Sequence, residues 1–212
     1  MIPVTVLDYG IGNLTSVARA LQHCGADVQV LTHAGEQAKG HLVLPGVGAF
    51  PDAMNEIRHR GFDDLITSHV NAQRPFLGIC VGMQVMFSQG EEYRRTEGLG
   101  LIEGAVVPVP EIGVDGRRHR IPLVGWGMLS PSEKGRPWSK SIFREVKTGS
   151  RAYFVHSYSA MPVHPGDVLA EATYDGVVVC AAVQRGSAIG CQFHPEKSAE
   201  TGLTLLRQFL AL

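Results

Sequence analysis

Apolar residues in this chain follow two rhythms. Residues 4–7, 28–31, 42–44 and 75–79 are short, nearly continuous apolar runs, the pattern of strands buried on both faces. Between them, apolar positions recur at helical spacing: Leu14, Val17, Ala18 and Leu21, then residues 49 to about 60, then 62 to about 70. Asn13 stands where an N-cap belongs, and another helix is expected from Gly82 to Phe87. Short strands alternating with helices predict an α/β fold, a mostly parallel central sheet covered on both faces. Residues 98–137 are rich in glycine and proline. They read as strands and long loops at the sheet edge or in a small extension. Further strands are expected at 152–155, 168–172, 177–183 and 188–191, with Asp175-Gly176 as a hairpin turn and Arg185-Gly186-Ser187 as another turn. A closing helix over 201–212 carries Leu203, Leu206, Phe209 and Leu210 on one face. No repeat or linker interrupts the pattern, so residues 1–212 read as a single domain.

Composition narrows the class. A hydrophobic share of 44% with 18% charged residues is that of a globular chain rather than a disordered one. The formal net charge of -1 gives no global positive field for nucleic acid, and Arg117-Arg118-His119-Arg120 reads as a solvated loop. Cys24, Cys80, Cys180 and Cys191 have neither zinc-knuckle nor redox spacing; they suit free thiols in a reducing compartment. With no leader pattern and no membrane-length apolar run, a cytoplasmic protein is expected. No H-E-x-x-H or regular His/Asp cluster suggests a metal. Gly10-Ile11-Gly12 has Thr15 where a dinucleotide loop needs its third glycine, so no cofactor is expected.

Cys80 differs from the other cysteines. In Leu77-Gly78-Ile79-Cys80-Val81-Gly82 it follows an apolar strand, precedes a helix and has a glycine two positions to either side. That is the cysteine form of a nucleophile elbow, in which glycines let neighbouring chain approach a tight strand-to-helix turn. Backbone amides where the helix begins, Val81 first among them, favour negative charge there and suit a tetrahedral oxyanion. A cysteine nucleophile needs a base. His194 follows the strand at 188–191, with Glu196 two residues on and Pro195 between, so the carboxylate is placed to orient the imidazole. His-Pro-Glu by itself also suits an ordinary loop. Gly46-Val47-Gly48 follows a strand and precedes a helix; its bare amides are candidate oxyanion donors, although such a turn is also a common glycine-rich loop.

Taken together, 44–50 (Leu-Pro-Gly-Val-Gly-Ala-Phe), 78–84 (Gly-Ile-Cys-Val-Gly-Met-Gln) and 192–198 (Gln-Phe-His-Pro-Glu-Lys-Ser) resemble the class I (triad) glutamine amidotransferases, which have a flavodoxin-like three-layer fold with additional antiparallel strands. Residues 8–14 (Asp-Tyr-Gly-Ile-Gly-Asn-Leu) and 153–158 (Tyr-Phe-Val-His-Ser-Tyr) narrow the resemblance to the glutaminase subunits of imidazole glycerol phosphate synthases. The resemblance implies that Cys80 attacks the side-chain amide of glutamine, His194 moves protons and Glu196 orients His194. Gln84, His156, Ser157 and Tyr158 would seat the glutamine, and the Gly46–Gly48 turn would supply oxyanion donors. It also implies a partner, a (β/α)8 barrel cyclase subunit that takes the ammonia to make imidazole glycerol phosphate and aminoimidazole carboxamide ribonucleotide in histidine biosynthesis. Trp126, Tyr153 and Lys197 match positions near the subunit junction; read alone, the two aromatics also suit packing and the lysine a solvated surface.

One segment departs from the family. Where these subunits usually read Pro-His-Met-Gly-Trp-Asn, this chain has Pro-Leu-Val-Gly-Trp-Gly at 122–127, so Leu123 and Gly127 replace hydrogen-bonding side chains. That leaves open a paralogue feeding ammonia to another barrel synthase, for example in sugar or polysaccharide amidination. Two further readings differ in class: a stand-alone cysteine hydrolase on the same core, and a regulatory module with an inactive triad.

Overall fold

The computed structural model describes every residue except Glu36, Asp115 and His119; the histidine of the basic run thus lies outside the described residues. β1 (Ile2–Leu7), α1 (Leu14–His23), β2 (Ala26–Leu31), β3 (His41–Gly46), α2 (Phe50–His59), α3 (Phe62–Asn71) and β4 (Phe76–Cys80) form the first half. α4 (Val81–Gln84), β5 (Phe87–Gly90), β6 (Thr96–Glu97), β7 (Ile102–Pro108), β8 (Leu123–Pro131), β9 (Arg151–His156) and β10 (Tyr158–Pro162) follow. β11 (Val168–Tyr174), β12 (Val177–Arg185), β13 (Ala188–Cys191) and α5 (Ala199–Leu210) complete the fold.

A nine-stranded sheet has the order β2-β1-β3-β4-β13-β12-β11-β8-β9. From β2 to β13 every pairing is parallel; from β13 to β9 every pairing is antiparallel. The inner parallel strands β3, β4 and β13 are almost wholly apolar, whereas edge strand β2 also carries Asp27 and Gln29 and is only partly buried. The helices bury apolar stripes, with Val17 and Leu21 from α1, Phe50, Ala53, Met54 and Ile57 from α2, and Leu205, Leu206 and Phe209 from α5. A smaller sheet, β10-β7-β5-β6, packs beside α2; any Cβ on Gly90 would strike the Phe50 ring. Parallel strands finish on a common edge, so β3, β4 and β13 end side by side, with Gly46 paired to Cys80 and Cys191 to Ile79.

Two local expectations change. The helix after Cys80 is a single turn, and the chain then extends into β5, which pairs with β7 and β6. Val85, Met86 and Phe87 are fully buried, so tertiary burial rather than helical propensity decides their path. Asn13 does occupy the N-cap position of α1 but makes no side-chain capping hydrogen bond. In the basic run, Arg118 is highly exposed and pairs with exposed Glu111 at 3.0 Å. No helix among the described residues is long and apolar enough to cross a membrane.

Candidate active site

Cys80 is the last residue of β4, with φ 56° and ψ -111°. A non-glycine residue in that region is strained by roughly 1–3 kcal/mol, and the surrounding packing must hold it there. That packing leaves no room to relax: a side chain on Gly78 would collide with the Gly82 and Met83 backbone, and one on Gly82 with the Leu44 carbonyl. The thiol is almost fully buried. It donates to the Val155 carbonyl at 3.8 Å and accepts from Gln192 Nε2 at 3.7 Å. Because α4 is one turn long, the accumulated helix dipole is small, and the local amides of Val81 and Gly82 are what β4 and α4 offer to a negative charge.

His194 reaches the same place from β13. Its Nδ1 lies 2.8 Å from Glu196 Oε1, and both side chains are buried. The segment carrying them is clamped. Ser198 Oγ donates to the His194 carbonyl and accepts from Tyr153 N, while His194 N donates to the Tyr153 carbonyl. Burial alone would push the imidazole toward neutrality, but the Cys80 sulfur and the Glu196 carboxylate outweigh it and raise the His194 pKa to about 9. Among the described residues Nε2 has no hydrogen-bond partner of ordinary geometry, although the Cys80 sulfur is close enough to raise the imidazole pKa.

A cavity of about 260 Å³ opens over this pair. Its wall includes Val47, Gly48, Cys80, Val81, Gln84, Glu92, Pro122, Val155, His156, Ser157, Tyr158 and His194. Burial, offset in part by its contact with Tyr158 and reinforced by nearby His194, lowers the His156 pKa to about 4, so the ring is neutral at neutral pH. Nδ1 sits 2.8 Å from the Tyr158 carbonyl and must be the protonated nitrogen; Nε2 is left as a buried acceptor with no partner among the described residues. Burial pushes the buried Cys180 thiol up to about 12 and raises Cys191 as well, while Cys24 is only partly buried.

The comparisons with known proteins are consistent along the whole chain. The family described as "Glutamine amidotransferase class-I" matches residues 5–212. The chain is 46% identical to "Imidazole glycerol phosphate synthase subunit HisH 1" of Legionella pneumophila (strain Lens), with all of both chains covered. It is 42% identical to "Imidazole glycerol phosphate synthase subunit HisH" of Geobacillus thermodenitrificans (strain NG80-2), covering 100% of this chain and 97% of that one. The chain belongs to the class-I glutamine amidotransferase family. A solved structure titled "Structure of PurLQS from Thermotoga maritima" shares this amidotransferase fold, with a TM-score of 0.73 at 16% identity over 100% of this chain and 98% of that one.

Within the amidotransferase, the tertiary structure brings Cys80, Val81, Gln84, Val47, Gly48, His156, Ser157, Tyr158 and His194 to one cavity, with Glu196 directly behind His194. Gly46 lies beneath rather than on the wall, wedged by Tyr9 and the start of α4. Gln84 Nε2 is engaged inside the protein, donating to the Tyr158 carbonyl and to Gln192 Oε1, both at 3.1 Å. Trp126, Tyr153 and Lys197 form a separate group. The Trp126 and Tyr153 rings meet edge-on at 6.0 Å, and Lys197 Nζ lies 5.9 Å from the Tyr153 centroid. Val124, Trp126 and Met128 alternate outward along β8 as an exposed apolar row. At Gly127, which faces inward, an added Cβ would lie 3.0 Å from the Phe154 ring and 3.2 Å from the Tyr174 hydroxyl, so those side chains fill the space.

Three contributors escape a reading of motifs alone. Gln192 bridges Gln84 to Cys80, Ser198 clamps the histidine segment, and Glu92, in the loop between β5 and β6, accepts the Phe50 amide at 2.7 Å. Gln192 and Ser198 flank the His-Pro-Glu sequence and could have been suspected as polar residues in an apolar context. Glu92 carries no local signal.

Proposed function

We propose that this chain is the glutaminase subunit of an imidazole glycerol phosphate synthase, with Cys80, His194 and Glu196 as its catalytic triad. The observation that carries the triad is the buried Nδ1–Oε1 contact of 2.8 Å behind an imidazole close enough to the Cys80 sulfur for that sulfur to raise its pKa. Cys80 and His194 share one proton, and the raised imidazole pKa places it on His194, so the sulfur attacks the side-chain carbonyl carbon of glutamine as thiolate. Negative charge develops on the carbonyl oxygen, within reach of the Val81 amide and of the Gly46-Val47-Gly48 turn. His194 returns the proton to the departing nitrogen, ammonia leaves, and a thioester remains. Water deprotonated by His194 then releases glutamate and restores the thiol. Glu196 holds the proton-bearing Nδ1 toward itself and so presents Nε2 to sulfur. Gln84, His156, Ser157 and Tyr158 line the glutamine site, where the free Nε2 of His156 accepts from the amide nitrogen of substrate or leaving ammonia.

The partner in this reading is a (β/α)8 barrel cyclase subunit, docked on the Val124–Trp126–Met128 row with Tyr153 and Lys197. Ammonia passes to it and is used, in histidine biosynthesis, to form imidazole glycerol phosphate and aminoimidazole carboxamide ribonucleotide. An exposed aromatic flanked by apolar residues and a rim cation is the composition of an interface core. Relatives of 38–46% identity named as HisH subunits favour this over a paralogue serving sugar or polysaccharide amidination. Residues 1–212 act as one glutaminase domain, since α4 leads straight from β4 into the small sheet and Glu92, on the loop between that sheet's β5 and β6, borders the cavity. The test is glutamine turnover with and without a barrel subunit and its nucleotide substrate. Stimulation by the pair is expected. Cys80→Ser should lose glutamine-driven synthesis but keep synthesis from added ammonia. Retained glutamine turnover in that variant would overturn the triad.

A further inference from the structure

We infer that Tyr9 is a positioning residue for the oxyanion turn: its hydroxyl captures the Gly46 carbonyl and thereby aims the Val47 amide at the substrate. Tyr9 follows β1, in a turn held by the Gly10 amide donating to Asp8 Oδ1 at 2.8 Å. Its ring is 1% exposed, and among the described residues its hydroxyl has no hydrogen-bond partner. That hydroxyl presses directly against Gly46, so that even a methyl group on Gly46 would strike it. On its other sides Gly46 faces the Gly82 nitrogen and the Val81 side chain, and across the sheet it is paired with Cys80.

A buried hydroxyl is ordinarily satisfied, and leaving one unpaired is a cost the resting fold carries. The chain it abuts is also the chain best able to supply an acceptor. Val47 and Gly48 are exposed, Gly48 has φ +87°, and glycines on both sides of Val47 let the intervening peptides rotate without a Cβ clash. Val47 and Gly48 belong to the cavity wall and Tyr9 does not, so the hydroxyl approaches the turn from the core side. A peptide unit is planar, with its C=O and N–H pointing in opposite directions. Turning the Gly46 carbonyl down onto Tyr9 therefore turns the Val47 N–H up toward the cavity. One rotation satisfies the hydroxyl and creates an oxyanion donor. Burial, reinforced by negative charge on Cys80, raises the phenol pKa, so Tyr9 stays a donor across the working range.

This rests on the proposed reading of the turn as part of the oxyanion site, and the test separates the two. Tyr9→Phe is compared with the unaltered chain, both in complex with the barrel subunit and nucleotide. Four quantities are measured: glutamine kcat and KM, affinity for a glutamine-derived aldehyde that forms a tetrahedral adduct on Cys80, alkylation of Cys80 by iodoacetamide, and thermal midpoint. Expected are a fall in kcat of roughly 10-fold to 100-fold with KM little changed and a matching loss of aldehyde affinity. Alkylation, which needs no oxyanion site, stays at the unaltered rate, and the thermal midpoint holds or rises because an unpaired buried hydroxyl is gone. Unchanged kcat and aldehyde affinity overturn the inference. So does a joint fall of all activities with the thermal midpoint, which would mark Tyr9 as packing only. If instead the unaltered chain releases no ammonia from glutamine in the complex, it is the proposed function that fails.

Discussion

The two halves of the nine-stranded sheet use opposite strand directions to opposite ends. From β2 to β13 the strands are parallel, so all their C-terminal ends fall on one edge, where the ends of β3 and β4 and the loop leaving β13 bring Gly46, Cys80 and His194 together. From β12 to β9 neighbours alternate in direction and no such convergence arises. What that half contributes is a face: Val124, Trp126 and Met128 alternate outward on β8, opposite Val155, Tyr153 and Arg151 of β9. Parallel topology concentrates loop ends and suits chemistry, whereas an antiparallel edge with one uncovered face suits docking. β9 joins the two, because Val155 accepts from Cys80 and Tyr153 is tied to Ser198 and His194.

Substitutions on either side should separate these contributions. The largest effect belongs to Glu196→Gln, which keeps the shape but frees the imidazole tautomer. Glutamine turnover should fall about 10²–10⁴-fold while ammonia-driven synthesis by the complex persists. Steady-state rates with each nitrogen source read this directly, and equal loss from both would contradict the assignment. On the antiparallel side, Trp126→Ala should weaken association with the barrel by about 2 kcal/mol, near 30-fold in Kd, while the unfolding midpoint of the free chain stays put. Calorimetric titration that finds unchanged affinity would remove this face from the interface.

A pair of glycine substitutions sharpens the contrast in packing. Gly46→Ala must displace Tyr9 or α4 and should cost roughly 1–3 kcal/mol in urea unfolding. Gly166→Ala, before β11, meets nothing within 4 Å and should change stability by less than about 0.5 kcal/mol. If the two behave alike, the close fit at the catalytic edge is not what holds the turn.

The smallest effects are in pH dependence, and the two cavity histidines have opposite signs. His156 is held neutral with its pKa lowered to about 4, so its contribution is present above the ordinary value of 6.5 and is lost as pH falls through 4. His194 is raised to about 9, so its contribution is complete below 6.5 and is lost as pH rises through 9. Unfolding midpoints against pH should show both limbs. Cys80→Ser should shrink the alkaline limb, since the sulfur helps hold the His194 proton, and leave the acid limb in place. An alkaline limb unchanged in that variant would show that sulfur and imidazole are not coupled.

Where the signal is local, the chain was readable in advance. The runs at 42–44 and 75–79 became β3 and β4, the glycines around Cys80 became an elbow, and Asp175-Gly176 became the turn between β11 and β12. Where the outcome depends on distant partners, the local pattern misled or was silent. The helix expected from Gly82 to Phe87 stopped after one turn because β7 and β6 capture the next residues as β5. Glu92 reaches the cavity wall only because the small sheet packs on α2.

By itself, then, the sequence determined which residues are able to act: a cysteine in a tight strand-to-helix turn, a histidine with a carboxylate two residues on, and a glycine turn of bare amides. Each is a short-range arrangement set by backbone sterics. Only the tertiary structure decided that they act together. The parallel order β3-β4-β13 places their loops on one edge, neighbouring charge raises one histidine while burial lowers the other, and the Tyr9 hydroxyl is pressed against Gly46 with no partner among the described residues. Those are consequences of strand order and exclusion of water, and no local stretch of residues encodes either.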